Sequence, residues 1–372
     1  IKTAHGAIQT PCFMPDATRG VIKGLSVQDC RRLGLPAAVI NTYHLYLQPG
    51  TKIIKKFGGA HTFMNWHKPL LSDSGGYQVY SLIHRNKNLG KITDDKAIFK
   101  SPLDGAQHEL TPERSIQIQF ALGADMIVCL DDCPPHDVNQ AAMEKSVERT
   151  VAWAKRCKAE YEKIVKTRRG AFPQKNPLLF AVIQGGTDLA MRKKCADALI
   201  AIGFAGYGFG ARPVDTEGKF LNKVLQETAN MIPDNAVRFG LGIGLPEDIL
   251  ACITMGWDIF DCVIPTREGR HGRIFLPKNS KFSIFNPPAG REGFQFSMKK
   301  KFYHTINIHN ARFAKNFSPI NAASKLPELR GYSRAYLHHL FKIGEPLGAR
   351  LASLNNLEFY ITLMEQIKFS IR

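Results

Sequence analysis

Two aspartates that lie far apart in the sequence, Asp73 and Asp261, are the side chains best suited to chemistry. A pair of carboxylates can perform retaining substitution at the anomeric carbon of a sugar, where one attacks the carbon and the other transfers protons. Aspartate at a strand end also caps helices and binds metals, so the pair alone leaves these roles open. A catalytic role requires a fold that brings the two residues together.

Eight short apolar runs are candidates for the strands that would do so. Most are continuously apolar rather than alternating, which is typical of parallel strands buried on both faces. Helical patterns separate the runs, and Pro112 and Pro246 stand where a first helical residue is expected. The pattern predicts an α/β protein built on a (β/α)8 TIM barrel with a helical C-terminal appendage. The predicted strands span residues 10–14, 37–41, 69–72, 125–130, 179–183, 206–209, 237–242 and 258–264.

Polar residues follow the ends of these predicted strands. Asp73 follows the third strand, Asp131 the fourth and Gln184 the fifth, while Gly242 ends the seventh and Asp261 lies within the eighth. Active sites of TIM barrels lie at the C-terminal face, because the loops there vary while the strands hold side chains in place. We therefore expect several polar strand ends to converge on one pocket.

We expect a catalytic barrel with insertions over residues 1–320 and a helical tail over residues 321–372, mainly from residue 332 onwards. A long helix is predicted over residues 139–165, a polar loop over 168–176 and an insertion over 277–301. The first ten residues read like the middle of a hairpin. We therefore expect the natural N-terminus to be missing.

The composition is that of a globular protein, with 44% hydrophobic and 22% charged residues and no apolar run long enough to span a bilayer. The eight cysteines show no CxxC spacing, and the chain lacks a signal-like apolar start. These features predict a cytoplasmic protein with reduced thiols.

The formal net charge is +18, and residues 267–372 contribute +12 of it, with 18 Lys and Arg against 6 Asp and Glu. A solvated basic surface that aids solubility is the simpler explanation of a modest excess. The concentration of charge in one third of the chain instead favours a polyanionic partner, and we expect nucleic acid.

Six motifs in one order cover nearly the whole chain and together resemble the tRNA-guanine transglycosylase (queuine tRNA-ribosyltransferase) family, in its bacterial form. The resemblance implies exchange of guanine at the wobble position of tRNA for a 7-deazaguanine base, in queuosine modification. The motifs are Asn-Thr-Tyr-His-Leu at 41–45, Asp-Ser-Gly-Gly-Tyr-Gln at 73–78, Asp-Asp-Cys at 131–133, Val-Ile-Gln-Gly-Gly at 182–186, Phe-Asp-Cys-Val-Ile-Pro-Thr-Arg at 260–267 and Ser-Arg-Ala-Tyr-Leu-His-His-Leu at 333–340.

The resemblance also implies roles for single residues. Asp261 would attack the ribose C1′ and form a covalent RNA intermediate, and Asp73 would be the general acid and base. Asp131 and Gln184 would hydrogen-bond the edge of the base. Tyr77 would stack on the base, although packing at the barrel rim explains this tyrosine equally well. The other implied base-site residues are Ser74, Gly75, Gly76, Gly185 and Ala211.

Two loops after the last strands are implied to bind RNA. Their cations and backbone donors would hold the phosphates that flank a flipped nucleotide. The implied partners are a tRNA with a G-U-N anticodon, a 7-deazaguanine base and a second copy of the chain in a homodimer, with no membrane. The implied RNA-binding residues are Gly242, Ile243, Gly244, Leu245, Pro246, Glu247, Asp248, Thr266, Arg267, Glu268, Gly269 and Arg270.

The chain departs from the family at the structural zinc site, which family members build from three cysteines and a histidine. The corresponding positions are Ser324, Leu326, Leu329 and Asn355. None of them offers a thiolate or an imidazole, so we expect neither zinc nor another cofactor. We expect Leu326 and Leu329 to form a small apolar cluster instead.

Two further departures concern the base pocket. Ala211, Arg212 and Pro213 replace a family Gly-Leu-(Ala/Ser), and Asp16 stands where bacterial members usually have valine after Met-Pro. These changes leave two incoming bases open. An acidic pocket suits the cation of 7-aminomethyl-7-deazaguanine, which we favour, whereas queuine needs more room.

Three other functions remain open. A non-catalytic or weakly active tRNA-binding homologue or partner subunit would explain the altered pocket, although the presence of Asp73, Asp131, Gln184 and Asp261 argues against it. An archaeosine-type enzyme would carry an additional C-terminal RNA-binding domain. A sugar-cleaving hydrolase would need the carboxylate pair but not the basic tail, and would not bind tRNA with a steep dependence on salt.

Overall fold

Eight parallel strands form the centre of the fold. A computed structural model describes residues 1–135, 138–168, 176–278 and 302–371. The strands are β1 Cys12–Pro15, β2 Ala38–Asn41, β3 Leu70–Asp73, β4 Met126–Val128, β5 Leu178–Ile183, β6 Gly206–Phe209, β7 Val237–Gly240 and β8 Ile259–Cys262. They pair in the order β1-β8-β7-β6-β5-β4-β3-β2, and a parallel bridge between Asp16 and Val39 joins β1 to β2. The predicted (β/α)8 barrel is confirmed, since each predicted strand overlaps an observed one.

The strands are continuously apolar because both of their faces are buried. In β5, Phe180 and Val182 belong to a cluster that includes Met14, while Leu179 and Ile183 belong to the larger core that includes the helices. This alternation follows from the period-2 geometry of a strand. The barrel interior is therefore a packed core, and open space remains at its ends.

Helices follow the strands and cover the barrel. The Thr111 hydroxyl accepts a hydrogen bond from the Arg114 amide and caps the helix that begins at Pro112, as its sequence predicts. The predicted long helix is observed as Gln140–Arg168. The other helices are Val27–Arg32, Thr42–Leu47, Thr51–Lys56, Ala60–Met64, Gly76–Arg85, Pro112–Leu122, Leu189–Ile202, Asn222–Met231, Pro246–Thr254, Ile264–Arg270, Pro327–Gly331, Arg334–Lys342 and Pro346–Ile371.

Within the described residues, three small antiparallel sheets lie outside the barrel. The first is a hairpin in the segment where the sequence suggests one, and the other two were not predicted. The strands pair as Lys2–Thr3 with Gly6–Ala7, as Gly90–Ile92 with Ala97–Lys100 and Gln107–Leu110, and as Arg273–Pro277 with Tyr303–Asn307. Most of the loop predicted over residues 168–176 and of the insertion predicted over 277–301 lies outside the described residues.

The C-terminal helix Pro346–Ile371 packs on the barrel beside the helix Ile264–Arg270. The Asn356 side chain donates to the Pro265 carbonyl at 3.0 Å, and the Tyr360 hydroxyl donates to the Gly244 carbonyl at 2.5 Å. The helix therefore supports the loops that follow β7 and β8. None of the helices in the described part of the chain has the length and hydrophobicity of a membrane span.

Candidate active site

A cavity of about 480 Å³ lies at the C-terminal ends of the barrel strands. The strand ends that the sequence singles out converge there, because parallel strands all end at the same face of a barrel. The predicted site residues that line the cavity are Asp73, Tyr77, Asp131, Gln184, Ala211, Gly242, Gly244, Leu245, Asp248, Asp261 and Arg267.

Asp73 is the last residue of β3, and neighbouring polar groups fix its carboxylate. The side-chain amide of Asn41, at the end of the adjacent β2, donates to Asp73 Oδ2 at 2.7 Å. Burial raises the pKa of Asp73 to about 6, and the negative charge of Asp16 contributes to the rise. A carboxyl group with this pKa can hold or release a proton near neutral pH.

Asp261 lies in β8 and faces the same cavity. The backbone amide of Gly242 donates to Asp261 Oδ1 at 3.0 Å. Burial, together with the charges of Asp73 and Asp16, raises the pKa of Asp261 to about 7, although the Gly242 hydrogen bond opposes the rise.

Asp73 and Asp261 thus face the same cavity. Substitution at an anomeric carbon needs one ionised and one protonated carboxyl group. With pKa values of about 6 and about 7, the two groups together populate a state with a single proton near neutral pH. The arrangement can therefore supply both a nucleophile and an acid.

Asp131 and Gln184 form a second polar pair at the ends of β4 and β5. Gln184 is fully buried, its Nε2 donates to Asp131 Oδ2 at 2.7 Å, and its Oε1 is buried without a hydrogen-bond partner among the described residues. Burial raises the pKa of Asp131 to about 7. The neighbouring Asp132 does not take part in this pair, because its Oδ2 accepts a hydrogen bond from the Arg149 guanidinium at 2.5 Å. The Asp131–Gln184 pair therefore presents hydrogen-bonding atoms that a ligand can satisfy.

The loop after β6 brings its backbone close to Gln184. A Cβ atom at Gly210 would lie 2.5 Å from Gln184 Cδ, so only glycine fits there. The next residue, Ala211, adopts a φ of 90°, which is unfavourable for a residue with a side chain. A backbone strained in this way at a pocket wall is typical of functional sites.

Arg192 supports this wall from behind and is not among the predicted site residues. Its fully buried guanidinium donates to the carbonyls of Gly186 at 2.7 Å, Ile183 at 3.1 Å and Gly210 at 2.8 Å, and it stacks 4.0 Å from the centre of the Phe209 ring. Arginine in a helix rich in lysine normally indicates a solvated face, so the sequence carried no signal for this role.

Tyr77 stands at the cavity with 49% of its surface exposed, and an exposed ring can stack on a flat ligand. Three other predicted residues, Ser74, Gly75 and Gly76, form the tight turn between β3 and the helix Gly76–Arg85. Gly76 allows this turn to approach Asp131, since an added Cβ would lie 2.8 Å from the Asp131 carbonyl. Gly185 follows Gln184 directly.

The residues predicted to bind RNA divide into exposed, half-buried and buried groups. Gly242, Leu245 and Arg267 are exposed, whereas Glu247, Asp248, Glu268 and Arg270 are half-buried. Glu247 accepts a hydrogen bond from the Tyr303 hydroxyl at 2.5 Å. The buried members shape the loops from below and are Ile243, Gly244, Pro246, Thr266 and Gly269.

One group of described residues has metal-binding side chains close together, at the opposite end of the barrel. His5 Nδ1 lies 2.9 Å from Asp125 Oδ1, and His61 Nε2 lies 3.2 Å from Asp125 Oδ2. The two rings stack with their centres 3.5 Å apart and 12° between their planes. An ion cannot lie in both ring planes at that spacing, so the geometry favours a hydrogen-bonded network over a shared metal.

The positions that correspond to the family zinc ligands do not fit the ion. The Ser324 hydroxyl donates to Glu358 Oε2 at 2.5 Å, the Asn355 side chain donates to the Phe275 carbonyl at 2.9 Å, and Leu326 and Leu329 are buried. A hydroxyl, an amide and two alkyl groups are not the ligand set of a structural zinc site.

Comparison with known proteins agrees with this geometry. The family model described as Queuine tRNA-ribosyltransferase matches residues 1–372. The queuine tRNA-ribosyltransferases of Halothermothrix orenii and Thermoanaerobacter pseudethanolicus are each 38% identical over 372 residues, covering all of this chain and 89% of the relative. That of Herpetosiphon aurantiacus is 39% identical over 370 residues, covering 84% of the relative. The chain therefore belongs to the queuine tRNA-ribosyltransferase family.

Proposed function

We propose that this protein is a tRNA-guanine transglycosylase that replaces guanine at the anticodon wobble position with a 7-deazaguanine base. One observation carries the proposal: Asp73 and Asp261 meet in a cavity that also contains the Asp131–Gln184 pair. The carboxylates supply substitution at an anomeric carbon, and the second pair supplies the recognition of a base edge.

The reaction proceeds by double displacement at the ribose C1′. The ionised Asp261 attacks C1′ and forms an ester, while Asp73 donates its proton to the departing guanine. Asp73 then accepts the N9 proton of the incoming base, whose nitrogen attacks C1′ and releases Asp261 as a carboxylate. Two inversions at C1′ retain the configuration.

The base is held by the groups around the Asp131–Gln184 pair. Guanine and its 7-deaza analogues present N–H donors and a carbonyl acceptor along one edge. Asp131 accepts from the donors, and Gln184 Oε1, which is buried without a partner among the described residues, accepts a further N–H. Tyr77 covers the face of the ring by stacking.

The RNA is held by the loops after β7 and β8 together with the basic surface. Arg267 lines the cavity beside Asp261, and residues 267–372 carry a net charge of +12. These cations neutralise phosphates on either side of the extruded nucleotide. We further propose a G-U-N anticodon as the target and a homodimer as the active assembly.

The proposed enzyme works without the family's structural zinc. The donor set at Ser324, Leu326, Leu329 and Asn355 does not suit the ion, and the Ser324–Glu358 hydrogen bond links the loop to the C-terminal helix in its place. No step of the reaction involves a metal.

Incubation with radiolabelled guanine and an unmodified tRNA bearing a G-U-N anticodon tests the proposal. The parent protein incorporates label into RNA, and Asp261→Asn does not. Tight tRNA binding without incorporation would instead support a non-catalytic RNA-binding homologue or partner subunit. Cleavage of the glycosidic bond without incorporation would indicate a hydrolase.

A further inference from the structure

The proposed nucleophile is held by the loop that follows β7. The Gly242 amide in this loop, residues 241–245, donates to Asp261 Oδ1 at 3.0 Å. The hydrogen bond orients the carboxylate and favours its ionised form, which the proposed attack on C1′ requires. The orientation of Asp261 therefore depends on what fixes the β7 loop.

Tyr360 of the C-terminal helix fixes this loop through its backbone. The Tyr360 hydroxyl donates to the Gly244 carbonyl at 2.5 Å, two residues after the amide that contacts Asp261. The Tyr360 ring is fully buried, with its centre 4.9 Å from that of Phe13 in β1 and 5.7 Å from that of Phe275. Burial raises the pKa of Tyr360 well above its ordinary value, so the hydroxyl remains a donor near neutral pH.

Gly244 also packs against the strand that carries the nucleophile. A Cβ atom at Gly244 would lie 2.3 Å from the Cβ of Cys262, the residue after Asp261. The backbone of the β7 loop is therefore in direct contact with β8. With its carbonyl held by Tyr360, the loop cannot move away from Asp261 without breaking a buried hydrogen bond.

The C-terminal helix also holds the segment on the other side of Asp261. The Asn356 side chain donates to the carbonyls of Pro265 at 3.0 Å and Arg273 at 2.9 Å. These contacts fix the helix Ile264–Arg270, which begins three residues after the nucleophile. One helix thus contacts both segments that flank the Asp261 carboxylate.

We infer that Tyr360 is a positioning residue for the proposed nucleophile, because its hydroxyl holds the β7 loop where the Gly242 amide meets the Asp261 carboxylate. The inference rests on the proposed base exchange. Among the described residues, the C-terminal helix contributes no side chain to the cavity wall, so Tyr360 acts only through the loop backbone. The inference gives this helix a part in the reaction as well as in the fold.

The Gly242 bond is one of several influences on the ionisation of Asp261. Burial and the negative charges of Asp73 and Asp16 raise the pKa of this carboxyl, and the Gly242 bond opposes them. Weakening the bond therefore raises the pKa of Asp261 further and does not alter the hydrogen bonds of Asp73. The other charged side chains that line the cavity are Asp131, Asp248, Arg212 and Arg267.

The test compares the parent with Tyr360→Phe, which removes only the hydroxyl. The matched control is Tyr161→Phe in the helix Gln140–Arg168, whose hydroxyl also donates to a backbone carbonyl, that of Pro177 at 2.9 Å, directly before β5 and away from the cavity. Incorporation of radiolabelled guanine into a G-U-N tRNA gives kcat and the KM for tRNA between pH 5 and pH 9. Thermal unfolding shows whether each variant is folded over this range.

In Tyr360→Phe, kcat falls by about tenfold while the KM for tRNA stays close to that of the parent, because the loop loses a buried hydrogen bond and orients the nucleophile less well. The reactive state has Asp261 ionised and Asp73 protonated, so the rate is constant between their pKa values of about 6 and about 7 and falls above them. A higher pKa of Asp261 moves this fall to higher pH, while the rise below about pH 6 keeps its position.

Tyr161→Phe keeps the kcat and the pH profile of the parent. An unchanged pH profile in Tyr360→Phe, or the same loss of kcat in both variants, would overturn the assignment. The pH at which the rate falls does not depend on the amount of folded protein, so partial unfolding does not imitate the shift. If the parent does not exchange guanine, the proposed function fails and the inference fails with it, whereas an active parent with an unchanged Tyr360→Phe overturns the inference alone.

Discussion

At the scale of single residues, the site depends on carboxyl groups whose protonation is shifted by their surroundings. Burial raises the pKa of Asp73 to about 6 and the pKa values of Asp131 and Asp261 to about 7. Ionising such groups costs folding free energy, which a purely structural site would avoid. Clustered groups of this kind in one cavity are typical of a catalytic centre.

The raised pKa of Asp261 predicts a distinct dependence on pH. In the proposed mechanism Asp261 must be ionised and Asp73 must carry a proton, so kcat/KM for tRNA rises by about tenfold per unit below about pH 6, levels off between about pH 6 and 7, and falls above that range. Asp16→Asn removes a negative charge that raises both pKa values and so moves the whole profile to lower pH. A rate profile between pH 5 and pH 9 measures both effects.

The control for this profile is Asp95→Asn, which removes one negative charge from an exposed side chain outside the cavity. Its profile should coincide with that of the parent. An unmoved acidic limb in Asp16→Asn would show that Asp16 does not influence the ionisation of the two carboxyl groups.

The residues of the proposed site could be located from the sequence because they end predicted strands. Asp73, Asp131 and Gln184 follow apolar runs directly, and barrel geometry brings such positions together. Arg192 could not be found in this way, because its three carbonyl partners lie 6 to 18 residues away, at the end of β5 and in the loops after β5 and β6, and only the folded chain brings them around one guanidinium.

At the scale of elements, hydrogen bonds and apolar packing, rather than metal ligands, connect the C-terminal helix Pro346–Ile371 to the loop around Ser324. The Glu358 carboxylate accepts from the Ser324 hydroxyl at 2.5 Å and from the Lys325 amide at 2.6 Å. The Leu326 amide donates to the Ser324 hydroxyl at 2.9 Å, and Leu329 is fully buried beside this network. The loop and the helix are thus joined by a buried carboxylate and an apolar cluster.

Glu358→Ala should destabilise the fold by about 1–3 kcal/mol, because it leaves buried donors without an acceptor. The change would appear as a lower Tm in thermal unfolding. Chelation with EDTA should leave the Tm of the parent unchanged, since no zinc contributes to this joint.

A matched control is Glu365→Ala in the same helix, where the carboxylate is exposed and contacts Lys325 at 3.3 Å. An exposed pair contributes little, so this variant should unfold close to the parent. If the two substitutions lowered the Tm equally, or if chelation lowered the Tm of the parent markedly, the loop and the helix would not be held together by Glu358 without a metal.

The barrel strands were predictable because burial on both faces makes them continuously apolar. The three-stranded sheet over residues 90–110 could not be predicted in this way. Its strands are short and carry polar residues such as Lys91, Lys100 and Gln107, and their pairing depends on packing that sequence patterns do not express.

At the scale of the whole molecule, a basic chain surrounds an acidic cavity. In the proposed function, the net charge of +18 attracts the RNA, while the carboxylates at the strand ends repel phosphate and leave the cavity to the extruded nucleoside and the incoming base. Charge thus directs the two parts of the proposed substrate to different regions.

Binding of tRNA should therefore depend steeply on salt. If 6–10 phosphates are contacted, affinity falls by about 10³- to 10⁵-fold between 50 and 200 mM salt. Filter binding over this range gives the slope, and Arg267→Gln should reduce it by about one phosphate contact. A flat response would argue against tRNA as the partner.

The most direct test of the central claim is to trap the intermediate. The protein is incubated with a G-U-N tRNA, denatured in SDS and separated on a gel. We predict a protein–RNA adduct with the parent, its disappearance when excess guanine is added before denaturation, and no adduct with Asp261→Asn. An adduct that persists in Asp261→Asn, or base exchange by the parent without any adduct, would contradict a double displacement through Asp261.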